Sequence, residues 1–233
     1  MLGKNHLLAA VLLAGANALV LFDKGALGWR EALVFLTGVV AGSLLPDVDA
    51  DDARVFHGSG IRALRRLDPF LSAAGRLTQA VVYFPLRLLF GAEHRGVMHS
   101  LAGAAVSGVL WAAVAWFLQT ALAWNPVVYF VPAGVFAGCI LHLAGDSFTR
   151  SGVAWFAPFS SRRVCGQAAT GRTSEYFVVA GFVAAAALTY WMGRTLSVQA
   201  VVFLPVLSAG LVLALFFSVT PVLWFMRFLP GFS

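Results

Sequence analysis

Residues 127–146 read VVYFVPAGVFAGCILHLAGD, and how that stretch is solvated decides the fold. Nothing in it before His142 carries a charge. A run of about 20 apolar residues is what an α-helix needs to cross the hydrocarbon of a bilayer. The run is too long for a strand and shows no period-two alternation. It ends on His142 and Asp146, which at i and i+4 lie on one face of a helix.

The rest of the chain has the same character. Of 233 residues, 60% are hydrophobic and 11% charged, against roughly 25% charged in a typical soluble domain. That composition excludes a disordered chain. It also argues against a water-soluble domain, whose surface needs more charge than this. Cys139 and Cys165 are too few for a disulfide framework. Apolar segments recur at about 6–22, 29–45, 99–122, 127–146, 175–193 and 199–219. His6 and the lack of a small-residue cleavage site mark the first as a retained helix rather than a signal peptide. The expectation is an all-α, polytopic transmembrane helix bundle of about six spans, forming a single domain over 1–233.

The one long connection, 46–98, separates spans two and three. Within it, RLTQAVVYFPLRLLF (76–90) is apolar with Arg76 and Arg87 near its ends and Pro85 inside. That pattern predicts interfacial helices rather than another span. The tail after Pro221, VLWFMRFLPGF, reads as interfacial too. Of the 16 basic residues, all but Lys24, Arg30 and Arg194 fall on the side of the N-terminus. By the positive-inside rule that side is cytoplasmic, with both termini on it.

Ionisable residues at span ends are costly and mark functional sites. Four groups occur: His6 opening span one; GSLLPDVD (42–49) closing span two; EHRGVMHS (93–100) opening span three; and HLAGD (142–146) closing span four. In the six-span topology all four reach the same cytoplasmic face. Pro46 marks a helix end, and an extended Asp47-Val48-Asp49 sets both carboxylates on one side. His94 and His99, at i and i+5, converge if Gly96 breaks the turn and His99 lies in the first turn of span three. Imidazole and carboxylate donors without thiolate suit zinc, manganese or iron. The candidate metal ligands are therefore His6, Asp47, Asp49, His94, His99, His142 and Asp146, enough for two ions sharing a carboxylate. A buried ion-pair network of Arg95, Glu93 and Asp146 is the alternative use of the same residues. Arg95 and Arg150 could grip a phosphate. Arg62, Arg65, Arg66, Arg162 and Arg163 fit anchoring to anionic lipid at least as well. His57 reads as a surface residue, and nothing here suits nucleic acid.

These motifs, GSLLPDVD, HRGVMHS and HLAGDSFTRSGVAWFAPFSSRR, resemble those of the YdjM-like family of inner-membrane metal-dependent hydrolases. Asn5-His6-Leu7 is similar to that family's early Thr-His. The likeness covers spans one to four and the loop to about residue 163. It implies a helical fold distantly similar to zinc phospholipase C and the zinc-dependent single-strand nucleases. It also implies ligand roles for Asp47, Asp49, His94, His99, His142 and Asp146, with His6 beside them. Asp51 and Asp52 depart from the family pattern.

The leading expectation is a hydrolase of a lipid phosphoester at the cytoplasmic leaflet, using one to three divalent ions, zinc first and manganese second. Catalytic roles fall to Asp49, Asp146, Arg95 and Arg150. Two other classes stay open: a divalent-cation transporter, which needs polar groups near the midplane, and a non-catalytic membrane protein with a structural metal. There is no HExxH or GxSxG motif.

Overall fold

A computed structural model describes residues 1, 3–49, 62–90 and 96–226. Its long elements are helices: α1 (Gly3–Asp23), α2 (Trp29–Gly42), α3 (Asp68–Thr78), α4 (Phe84–Phe90), α5 (Leu101–Leu122), α6 (Phe130–Ser147), α7 (Thr173–Thr195) and α8 (Leu204–Met226). The only β pairing among the described residues is two isolated bridges, Thr149 with Ala168 and Val153 with Val164. Lipid cannot satisfy an open backbone, so a chain in a membrane forms helices or a closed barrel, and these long apolar helices are the first of the two.

Five segments are long and apolar enough to cross a membrane: α1, α5, α6 with the 3-10 turn before it (Pro126–Ser147), α7 and α8. The second expected span is different. Helix α2 has 14 residues, about 21 Å at the α-helical rise, short of the ~30 Å hydrocarbon thickness. Residues 43–44 leave the helix and a 3-10 turn, Leu45–Asp49, follows. Pro46 has no N–H to continue the α ladder. The Asp47-Val48-Asp49 segment is thus a tight turn and not extended.

Two further expectations shift. Helix α8 begins at Leu204 and continues through Pro221 to Met226, so the first part of the expected interfacial tail belongs to the helix. Proline inside an apolar membrane helix is tolerated where the freed carbonyl is re-satisfied locally. His99 does not lie in the first turn of its span. It ends a separate 3-10 turn, Val97–His99, and the next residue, Ser100, caps α5 by accepting from the Gly103 N–H at 3.2 Å.

The expected interfacial stretch is helical throughout. A 3-10 turn (Arg62–Leu67) runs into α3, then a π-helical segment (Gln79–Tyr83), then α4. The wide π turn lies just before Pro85, whose ring would clash with the carbonyl four residues back in a regular α-helix. Leu71, Ala74, Thr78 and Val82 are buried on the inner side, while Arg65, Arg66, Arg76 and Arg87 are exposed. Gln79 Nε2 donates to the Val48 carbonyl at 3.2 Å, tying this segment to the Asp47 turn.

The most extensive interhelical contact is between α2 and α6. Gly38 and Gly42 on α2 face Gly134 and Gly138 on α6. A Cβ at Gly38 would strike the Val131 carbonyl, one at Gly42 the Val135 carbonyl, one at Gly134 the Phe35 carbonyl and one at Gly138 the Val39 carbonyl. Small residues at four-residue spacing let two membrane helices meet backbone to backbone. On the other flank α1 packs on α7 and α7 on α8. There Ser208 bridges Asn17 (3.0 Å) and Thr189 (3.2 Å) within the helices.

Replacing Gly138 by Leu should separate α2 from α6 and destabilise the protein by about 1–3 kcal/mol. The same change at Gly210, where a Cβ meets nothing within 4 Å, should be tolerated. Thermal unfolding of the detergent-purified variants, followed by size-exclusion chromatography, checks both.

Candidate metal centre

Five residues from four parts of the chain converge at one end of the bundle. His6 comes from the first turns of α1 and Asp47 from the 3-10 turn after α2. His99 comes from the turn before α5, and His142 and Asp146 from the last turns of α6. His6, His99, His142 and Asp146 are buried. Asp47 keeps 29% of its side chain accessible, so the cluster opens to its surroundings on that side.

The contacts are short. His6 Nε2 lies 3.0 Å from Asp146 Oδ1, and His99 Nε2 lies 3.2 Å from Asp47 Oδ1. His142 Nε2 stands between the two carboxylates, 3.6 Å from Asp47 Oδ1 and 3.7 Å from Asp146 Oδ2. The His6 and His142 rings stack at 3.9 Å with 14° between their planes. Asp146 Oδ1 also accepts from the α-amino group of Met1 at 2.6 Å. A Cβ at Gly145 would stand 2.9 Å from His6 Nδ1, so glycine there makes room for the imidazole.

His142 tests whether these residues suit a metal. Its Nδ1 is 2.8 Å from the Ser43 carbonyl. A carbonyl only accepts, so Nδ1 carries the proton and Nε2 of the neutral ring presents a lone pair. That Nε2 is buried and has no hydrogen-bond partner. An imidazole held by one nitrogen with the other aimed at carboxylates is the usual posture of a metal-binding histidine. Two donor groups meet the spacing for an ion: His6, His142 and Asp146, and Asp47, His99 and His142, the donor atoms of each within 4.8 Å of one another. Both groups use His142, whose single Nε2 lone pair serves one ion at a time. The two groups therefore share a ligand and make up one continuous cluster.

Charge fits as well. Burial alone would raise the Asp47 carboxyl. In the metal-free protein the His142 and His99 imidazoles beside it, when protonated, outweigh that and hold it well below the ordinary carboxylate range, the place a cation takes when it displaces their protons. It is an anion, ready to take a cation.

Other expected residues are placed differently. His94, Arg95 and their neighbour Glu93 lie outside the described residues, as does the side chain of Asp49, whose backbone closes the 3-10 turn. His57 lies outside them too. Arg150 is exposed beyond α6, with Nε donating to the Gln167 carbonyl at 3.3 Å.

Sequence reasoning missed the Ser43 carbonyl, which no residue type advertises. It also missed Glu175, a buried acid in the first turn of α7. The signal was available, because Glu175 opens an apolar span just as His6 does.

The chain belongs to the YdjM inner membrane protein family, whose model matches residues 1–225. No curated protein and no solved structure matches it.

Mass spectrometry of detergent-purified protein should find about one equivalent of a divalent metal, lost in both Asp47→Ala and His142→Ala. Metal retention should fall as the pH is lowered, because protons compete for the imidazole nitrogens.

Proposed function

We propose that this chain is a membrane-embedded, metal-dependent hydrolase that cleaves a lipid phosphoester at the cytoplasmic face. The observation that carries the reading is the set of imidazoles and carboxylates around His142 Nε2, all buried among the described residues but the partly accessible Asp47. A bound zinc or manganese ion supplies water activation at neutral pH and charge stabilisation at a phosphoryl oxygen. His6, Asp47, His99, His142 and Asp146 hold the ion, and the Ser43 carbonyl fixes the His142 tautomer. Asp146 or Asp49 would take the proton of the attacking water and pass it to the leaving alkoxide as the phosphoester P–O bond breaks. Arg95 and Arg150 are the guanidinium groups assigned to the phosphate.

The surroundings suit an anionic amphiphile. The loop after α6 reaches the start of α5, where the Leu101 N–H donates to the Trp155 carbonyl at 2.9 Å. That loop exposes Phe156 and Phe159 together with Arg162 and Arg163. Exposed Arg65, Arg66, Arg76 and Arg87 line the outer side of the 62–90 helical run, beside exposed Val81, Phe84 and Leu88. Mixed basic and apolar surface of this kind favours anionic lipid.

The transporter reading is the weaker one. The described midspan polar groups are few: Asn17, Thr189 and Ser208 satisfy one another, Thr37 turns back onto the Leu33 carbonyl, and Ser107 alone of these buries a hydroxyl without a hydrogen-bond partner. A purely structural metal predicts an ion whose positions are all filled by protein ligands, with no place for water and no turnover.

Phosphatidic acid and phosphatidylglycerol in mixed micelles, supplied with zinc or manganese, are the first substrates to test. Wild-type protein should hydrolyse one of them. His99→Ala and Asp146→Ala should fall to background while remaining monodisperse. Full activity in either variant would refute the site.

A further inference from the structure

The buried carboxylate of Glu175 makes contacts that helix capping alone does not account for. It lies in the first turn of α7 and is 1% exposed. Oε2 accepts from the backbone N–H of Gly171 at 2.5 Å. That bond resembles a capping box, in which a glutamate near a helix start turns back onto the preceding backbone. Gly171 takes a positive φ of 76°, which glycine adopts without strain and which closes the loop onto α7. The other oxygen does something a cap does not need. Oε1 accepts from Asn5 Nδ2 at 2.5 Å, across 170 residues of sequence. Asn5 is itself buried, and the next residue is His6.

One carboxylate therefore joins three parts of the molecule at the metal-centre end: α7, the loop from α6, and the turn of α1 that carries an imidazole of the cluster. The His6 ring needs such a tie. It is wedged between the stacked His142 ring and Gly145, and it meets Asp146 through Nε2. A small rotation or slide of α1 would break that register. The main packing of α1 is against α7, but apolar side chains resist sliding less specifically than two short hydrogen bonds to a buried anion do.

We infer that Glu175 is a positioning residue for the metal centre, acting through Asn5 to set the His6 imidazole. This rests on the metal-binding part of the function proposed above and does not require hydrolysis. Glu175 touches neither ion nor substrate. Groups that orient metal ligands typically change metal affinity about 10- to 100-fold when removed.

The test is a double-mutant cycle on cobalt(II) binding to the full-length protein in detergent, read by dissociation constant and by the visible absorption spectrum of the bound ion. Glu175→Gln keeps the shape and one acceptor oxygen. It cannot accept from both Asn5 and Gly171, so it tests the tie with little risk of unfolding. Glu175→Gln and Asn5→Ala should each weaken binding about 10-fold or more and alter the spectrum. In a His6→Ala background, where the positioned ligand is gone, Glu175→Gln should have little further effect. An unchanged affinity and spectrum in Glu175→Gln would overturn the proposal. So would an equal loss with and without His6, which is the mark of a merely structural residue. No cobalt bound by the wild type would sink the metal reading itself and this inference with it, an outcome visible before any variant is made.

Discussion

Helices α2 and α6 meet where neither has a Cβ, and the candidate site depends on that approach. In lipid there is little hydrophobic drive between helices, so association rests on close packing of backbones and small side chains. Gly38 and Gly42 interleave with Gly134 and Gly138. One turn further on, the same proximity places the Ser43 carbonyl 2.8 Å from His142 Nδ1. Helix α2 then ends and turns Asp47 toward the His142 ring. Had these helices been spaced by ordinary side chains, the carbonyl would not reach the imidazole and the tautomer would be undetermined.

Burying three imidazoles and a carboxylate at a membrane-embedded helix end is expensive unless each charge is compensated. Here the compensation is mutual and local. Asp146 receives His6 and the Met1 amine on Oδ1, and Asp47 sits against His99. An ion-pair network would account for those contacts. His142 Nε2 stands between two carboxylates at 3.6 and 3.7 Å, beyond hydrogen-bond but within ion-pair distance, a place that either a proton on the ring or a bound cation fills.

The two flanks of the bundle serve this centre differently. On one side the helical run 62–90 packs Gln79 onto the Val48 carbonyl and so buttresses the Asp47 turn. On the other, α7 and α8 hold α1 in place, through the polar contacts of Asn17, Ser208 and Thr189 within the helices and of Asn5 with Glu175 at the end. Much of α8 faces outward: Val206, Leu213, Phe217 and Phe225 are all exposed, as expected of a helix whose other neighbour is lipid.

The order of residues along the chain sufficed for the membrane-helical fold and for which side chains could meet. Apolar length is a local property, and so is the placing of His6, His99, His142 and Asp146 at the ends of apolar runs. Antiparallel alternation then carries those ends to one face. The spacing of glycines on α2 and α6 is legible too, although each glycine alone reads only as a weak helix former. Other features lay beyond any local reading. Pro46 marks a stop for α2, but that the next residues coil into a 3-10 turn and bring Asp47 to His99 depends on the packing around them. That His142 is bonded through Nδ1 depends on a backbone carbonyl, which every residue has and no letter marks. That Glu175 reaches Asn5 depends on α7 packing beside α1. Sequence decides what a helix end can offer. Distances of 3 Å between different helices are set only when their backbones have packed, because they are sums of helix positions that no single segment contains.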